Sequence, residues 1–186
     1  RRVLFRSHID DLPKHYHLIE NLLKGGLKQI AVMGSMHEVG YWEGAIDADT
    51  PCKPASLYGI SKNSLRQITA LLASQYGAQI QWIRAYYIVG DDAHGSSIFS
   101  KLLAAANEGK TTFPFTTGKN LYDFISITEL ARQISAVVAQ NQIDGIINVC
   151  TGKPMSLAER VEAYIHENNL GLTLQYGAFP DRPYDS

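Results

Sequence analysis

Cysteine is scarce in this 186-residue chain: Cys52 and Cys150 stand alone, with no CxxC pair and no Cys/His spacing suited to zinc. That excludes a disulfide scaffold and a zinc module, and it points to a reducing, cytoplasmic setting. No apolar run approaches the roughly 20 residues of a membrane span, so no membrane partner is expected. There is no excess of one charge either. A net charge of −1 and a pI of about 6.6 exclude non-specific nucleic-acid binding, which needs a basic surface. Charge blocks, low-complexity tracts and internal repeats are all absent, and no GxxGxxG occurs anywhere. The chain does not begin with Met. Its opening, Arg1 to Ser7, has an apolar stretch too short for a signal peptide and reads as a non-native stub on a piece of something longer.

What is present is the composition of a folded domain, with 45% apolar and 19% charged residues, enough for a real core. Helical spacing of Leu12, Tyr16, Leu18, Ile19, Leu22 and Leu23 predicts a helix over 9–27, stopped by Gly25-Gly26. Gln29 to Met33 is a short apolar run expected of a strand buried on both faces. A polar loop follows over 34–56, and loops of that length are usually functional. The pattern then predicts a helix over 57–76, a strand over 79–89 and a helix near 97–108. Further strands are expected around 111–116, 121–127, 145–150 and 172–176. Thr128 and Ser156 are expected to cap two more helices, Ser156 with Glu159 at capping-box spacing. Helices alternating with short apolar strands make this an α/β chain with parallel pairing.

Tyr58 and Lys62 stand four residues apart at the start of a predicted helix, so they project from one face. A phenol has an intrinsic pKa of about 10, and an adjacent ammonium favours its ionised form, which suits acid–base work near neutrality. Alone the pair means little. Ten tyrosines and nine lysines in this length give about 0.5 such pairs by chance, and a surface lysine beside a half-buried tyrosine is the plainer account of one.

Its surroundings carry more. An apolar strand leads into Gly34-Ser35-Met36-His37-Glu38-Val39-Gly40, Tyr58 follows 23 residues after Ser35, and Arg84 to Gly90 comes after the next helix. Tyr122-Asp123-Phe124-Ile125, the segment Asn148 to Leu157 and Arg182-Pro183-Tyr184-Asp185 complete an ordered set. In this the chain resembles the extended short-chain dehydrogenase/reductases, the nucleotide-sugar epimerases, dehydratases and reductases. The resemblance implies the C-terminal part of a doubly wound, Rossmann-like parallel sheet plus a small α/β substrate-binding region. Residues 8–92 would belong to the dinucleotide-binding domain and 93–186 mainly to the substrate region, with 119–150 returning in part to the sheet. It implies NAD or NADP as cofactor, with the pyrophosphate-binding turn lying upstream, so the chain by itself is expected to bind cofactor poorly and to leave a sheet edge uncovered.

By the same resemblance Ser35, Tyr58 and Lys62 are the catalytic set, with Tyr58 and Lys62 also on the cofactor. His37, Tyr41, Trp42, Tyr87 and Arg182 are candidates for holding a nucleotide-sugar substrate, although the loop aromatics could equally pack on themselves. Two positions depart from the family pattern: Tyr87 stands where an Asn is common, and Tyr122 replaces the Arg of an Arg-Asp pair. Met36-His37 stands where dehydratases carry an Asp-Glu acid pair, which argues against dehydration. The expected reaction interconverts a 4-keto-6-deoxyhexose and its alcohol on a nucleotide. A 4-epimerase is the alternative enzyme, and a non-catalytic binding or scaffolding protein the alternative of another class. Analogy with the family implies a homodimer.

Overall fold

The computed structural model describes residues 8–90, 95 and 97–181. The stub at 1–7 and Arg182 lie outside the described residues. Within them the chain forms two compact units. One holds the described residues up to Tyr86 together with Thr128–Cys150; the other holds Tyr87–Ile127 and the segment from Thr151 onward.

In the first unit, helix α1 (Leu12–Lys24) carries Pro13 in its first turn, where no N–H partner is lost, and ends at Gly25. Strand β1 (Gln29–Met33) follows, then a 3₁₀ turn at Met36–Glu38. Helix α2 (Leu57–Tyr76) starts on Ser56, whose side chain accepts the Gly59 N–H at 3.1 Å, a standard N-cap. Strand β2 (Gln79–Ala85) lies between β1 and β7 (Gly145–Val149) in a three-stranded, wholly parallel sheet, with Gln29 opposite Gln79 and Gln81 opposite Gly145. Strand β1 is therefore an edge of this sheet among the described residues. Ile19 and Leu23 of α1 and Leu65 and Leu72 of α2 bury against Ile30 and Trp82 of the strands, forming the unit's core.

The opposite end of this sheet is tied by amides. Helix α4 (Ile127–Val138) leaves its last carbonyls without helical partners, and Gln81 Nε2 donates to the carbonyls of Val137 and Gln140 at 2.8 and 3.0 Å. Gln29 Nε2 in turn donates to Gln81 Oε1 at 3.0 Å. Gln81 is only 1% exposed, and these bonds are what make its burial tolerable.

The second unit is built from β3 (Tyr87–Val89), α3 (Ile98–Asn107), β4 (Thr112–Pro114), β5 (Leu121–Tyr122), β6 (Phe124–Ser126), β8 (Met155–Ser156), α5 (Leu157–Glu167) and β9 (Thr173–Gln175). Its strands pair two by two: β3 with β6 and β4 with β9 in parallel, β5 with β8 antiparallel. Phe99, Leu102, Phe115, Val161, Tyr164 and Leu172 form its own core. Ser156 and Glu159 make the reciprocal capping box expected at the start of α5.

Four sequence expectations need correcting. The run 79–89 is two strands in different sheets, broken at Tyr86, and 121–127 is likewise two, broken at Asp123. Helix α1 is shorter than 9–27: a turn at Asp11 delays its start to Leu12, and it ends at Lys24, before the glycines expected to stop it. Thr128 is not a cap, since α4 already begins at Ile127. Among the described residues no helix is long and apolar enough to cross a membrane.

Candidate active site

Ser35 follows β1 directly, in extended backbone (φ −156°, ψ 144°), and opens the 3₁₀ turn. Its Oγ accepts the His37 N–H at 3.3 Å, and its own N–H donates to Glu38 Oε1 at 2.9 Å. A hydroxyl has one hydrogen and two lone pairs, so acceptance from His37 leaves the O–H as the group Ser35 can donate.

Glu38 turns inward and is fully buried. Trp82 Nε1 donates to it, 2.8 Å from Oε1 and 3.0 Å from Oε2. Arg66 Nε stands 3.3 Å from Oε2 and Arg84 Nε 3.9 Å from Oε1, as ion-pair partners rather than as hydrogen bonds. The rest of the Arg84 guanidinium is spent on structure: Nη1 donates to the Asp47 carbonyl at 2.9 Å, and Nη2 lies 3.7 Å from Cys52 Sγ. Gly34 makes this packing possible, because a Cβ there would sit 2.2 Å from Trp82 Nε1 and 2.7 Å from Glu38 Oε1.

The first turn of α2 lies against the same 3₁₀ turn. A Cβ on Gly59 would fall 2.3 Å from the His37 carbonyl oxygen, so only glycine allows this approach. Tyr58, the preceding residue, thereby meets His37, ring centroids 5.8 Å apart and edge-on, with His8 edge-on at 4.8 Å. One helical turn on, Lys62 Nζ donates to the Met33 carbonyl at 2.9 Å, at the carboxyl end of β1. Burial pushes the Lys62 ammonium below the ordinary lysine range, and the Glu38 carboxylate opposes that push. His8 is lowered too, first by burial and then by Lys62.

Ser35, Tyr58 and Lys62 are thus gathered around the carboxyl end of one parallel strand, where open α/β sheets bind ligands. Of the proposed substrate contacts, His37 is brought to Tyr58. Tyr41 and Trp42 bond within their own loop, Tyr41 to the Glu43 carboxylate and Trp42 Nε1 to the Ala45 carbonyl at 3.1 Å. Tyr87 belongs to the second unit, where its ring packs on Tyr122 at 4.3 Å and Phe124 at 5.9 Å. Sequence reasoning missed Glu38. The Ser35-x-x-Glu38 spacing was its visible signal, the same spacing that marks Ser156 and Glu159.

Residues 11–150 match the NAD dependent epimerase/dehydratase family. The chain belongs to that family. Over 181 residues it is 45% identical to a dTDP-6-deoxy-L-talose 4-dehydrogenase (NAD(+)) of Aggregatibacter actinomycetemcomitans, a match covering 97% of this chain and 67% of the relative. Among solved structures, a dTDP-glucose 4,6-dehydratase of Streptomyces venezuelae with NAD bound superposes with a TM-score of 0.80 at 18% identity, over 96% of this chain and 56% of the other. A UDP-glucose 4-epimerase of Thermotoga maritima gives 0.76 at 19% identity, over 97% and 60%. The chain therefore spans little more than half the length of these solved family members. Its residues suit one end of the family's nicotinamide cofactor: an ammonium with three donors, one of them on Met33 O, stands one helical turn from a phenol, at the strand end that Ser35 follows. The pyrophosphate end would need the glycine-rich turn that this sequence lacks.

Proposed function

We propose that the protein carrying this chain is an NAD(P)-dependent oxidoreductase acting on a nucleotide sugar, interconverting the 4-keto and 4-hydroxy forms of a 6-deoxyhexose. The gathering of Ser35, Tyr58 and Lys62 at the end of β1 carries the redox part of this reading. Similarity to the 4-dehydrogenase of A. actinomycetemcomitans supports the substrate class.

The nicotinamide cofactor, when bound, exchanges a hydride with C4 of the sugar. Tyr58 gives a proton to the C4 oxygen in the reducing direction and takes it back in the other. Ser35 donates to the same oxygen, so charge that develops there meets a fixed donor instead of water. Lys62, one helical turn from Tyr58 and bonded to the Met33 carbonyl, is the candidate for the cofactor ribose. Met36 has no acidic group to protonate a leaving hydroxyl, which supports redox at C4 over dehydration. A second copy of the protein is the proposed partner: Leu18 and Leu22 of α1 and Ile60 and Leu71 of α2 are exposed, and a homodimer would cover them.

The test is an assay of the full-length gene product with NAD(P)H and a dTDP-4-keto-6-deoxy sugar, for wild type and Tyr58→Phe. Cofactor oxidation should fall by about 10²–10⁴-fold in the variant with substrate binding retained. Isomerisation without net cofactor turnover would make the protein an epimerase. Wild-type turnover by Tyr58→Phe would remove Tyr58 from the mechanism.

A further inference from the structure

A fully buried carboxylate under a catalytic hydroxyl calls for an explanation beyond capping one turn. Glu38 receives the Ser35 N–H on Oε1 at 2.9 Å, and the Trp82 indole bridges both oxygens. Two guanidinium groups, Arg66 and Arg84, flank it. Arg84 is as buried as Glu38 and Arg66 is partly exposed, so the carboxylate is held from several sides. A cap for a three-residue turn could be made with an exposed Glu, as Glu159 does for α5.

We infer that Glu38 is a positioning residue for Ser35: its buried carboxylate holds the Ser35 backbone N–H and so fixes the direction in which the Ser35 hydroxyl donates. The inference rests on the reading of Ser35 as a donor to the reacting oxygen. A charge-assisted hydrogen bond from N–H to carboxylate is roughly twice as strong as a neutral one, and it fixes the backbone on which Oγ is mounted. His37 N–H then occupies one lone pair of Oγ at 3.3 Å, which orients the remaining O–H. The sequence supplies the same anchor at both ends of the loop, since Gly34 admits Trp82 to the carboxylate and Gly59 sets α2 on the His37 carbonyl.

The experiment is a double-mutant cycle on the full-length gene product, assayed with NAD(P)H and a dTDP-4-keto-6-deoxy sugar. Wild type, Glu38→Gln, Ser35→Ala and the double variant are compared. Glu38→Gln keeps the shape and loses the charge. It should lower kcat about tenfold, since small misplacements of a reacting group are costly, and leave KM within about threefold. In the Ser35→Ala background the same substitution should change kcat by less than about threefold, because a residue acting through another loses its effect when that other is gone. Equal losses in both backgrounds, or an unchanged kcat in the first, would overturn the inference while leaving the role of Ser35 intact. Wild-type turnover by Ser35→Ala would instead bring down the reading of Ser35, and the inference with it. Should Glu38→Gln fail to fold, Trp82→Phe takes its place: it frees the carboxylate from the opposite side, and its kcat loss should likewise vanish without the Ser35 hydroxyl.

Discussion

The rings of Tyr87 and Tyr122 meet edge to face, centroids 4.3 Å apart. These are the two positions at which the chain departs from the Asn and Arg of the family pattern, and the structure joins them in one contact. Phe124 completes the group, 5.9 Å from each. Tyr122 is only 7% exposed, so a charged arginine at 122 would need a polar partner there, whereas the tyrosine lays its ring against two others. The structure thus places the two positions in one aromatic cluster. Tyr87→Ala and Tyr122→Ala should therefore be coupled by about 0.5–1.5 kcal/mol beyond burial, the range for aromatic pairs. Denaturant melts of the two single variants and the double one measure this, and additive losses would show that the rings merely touch.

Gly34→Ala and Gly59→Ala each put a methyl where there is no room, but against different neighbours. At Gly34 the obstacle is the buried indole of Trp82; at Gly59 it is backbone, the His37 carbonyl. Either variant should lose about 1–3 kcal/mol, the usual cost of overpacking. Gly59→Ala should also push the first turn of α2 away from the 3₁₀ turn and part Tyr58 from His37. Its turnover at a temperature where it stays folded should then fall further than its stability loss accounts for. Unchanged turnover in folded Gly59→Ala would mean that the approach does not matter to the chemistry.

Much of this was legible in the sequence, where local signals suffice. Helix α2 runs from Leu57 to Tyr76, as its apolar spacing and Gly77 indicate, and β1 and β7 lie within their apolar runs. The breaks at Tyr86 and Asp123 were not legible. Each is a single residue inside an apolar stretch, and what decides it is the pairing of Tyr87 with Phe124 in a separate sheet. Pairing of that kind is tertiary and leaves no periodicity behind. The depth of Glu38 was hidden for the same reason: its spacing from Ser35 is visible, but its burial depends on Trp82, 44 residues away. Arg84 reads in the sequence as a strand marker, and only the fold shows it wholly buried as a clamp on the loop at Asp47 and Cys52.

Lys62 gives a prediction whose sign is fixed by linkage. Burial lowers its pKa in the folded protein, with Glu38 opposing. Between the folded value and the ordinary lysine value the unfolded chain binds more protons, so this group's contribution to stability rises with pH through that window. Lys62→Met abolishes the titration. Urea midpoints at pH 8 and pH 10 should show wild type gaining on Lys62→Met as the pH rises. On the function proposed above, turnover of the full-length variant should fall and its cofactor binding weaken, since Lys62 is the residue proposed for both. Midpoints that run parallel would mean that the ammonium is not held in a desolvating site.

Tyr176 titrates in the opposite sense. Burial and a 2.5 Å hydrogen bond from its hydroxyl to Glu162 Oε1 push the phenol up to about 12. A group whose folded pKa is raised binds its proton more tightly when folded, so its contribution is complete below about pH 10 and is lost as the pH rises toward 12. The phenolate absorbance of wild type minus that of Tyr176→Phe isolates this one group. The difference should rise near pH 12, well after the ordinary tyrosines have ionised at about 10. Glu162→Gln removes the anion that disfavours a phenolate at 2.5 Å, and it should move the same rise to lower pH. A difference curve centred near 10 in wild type would mean that the Glu162 contact is not kept in solution.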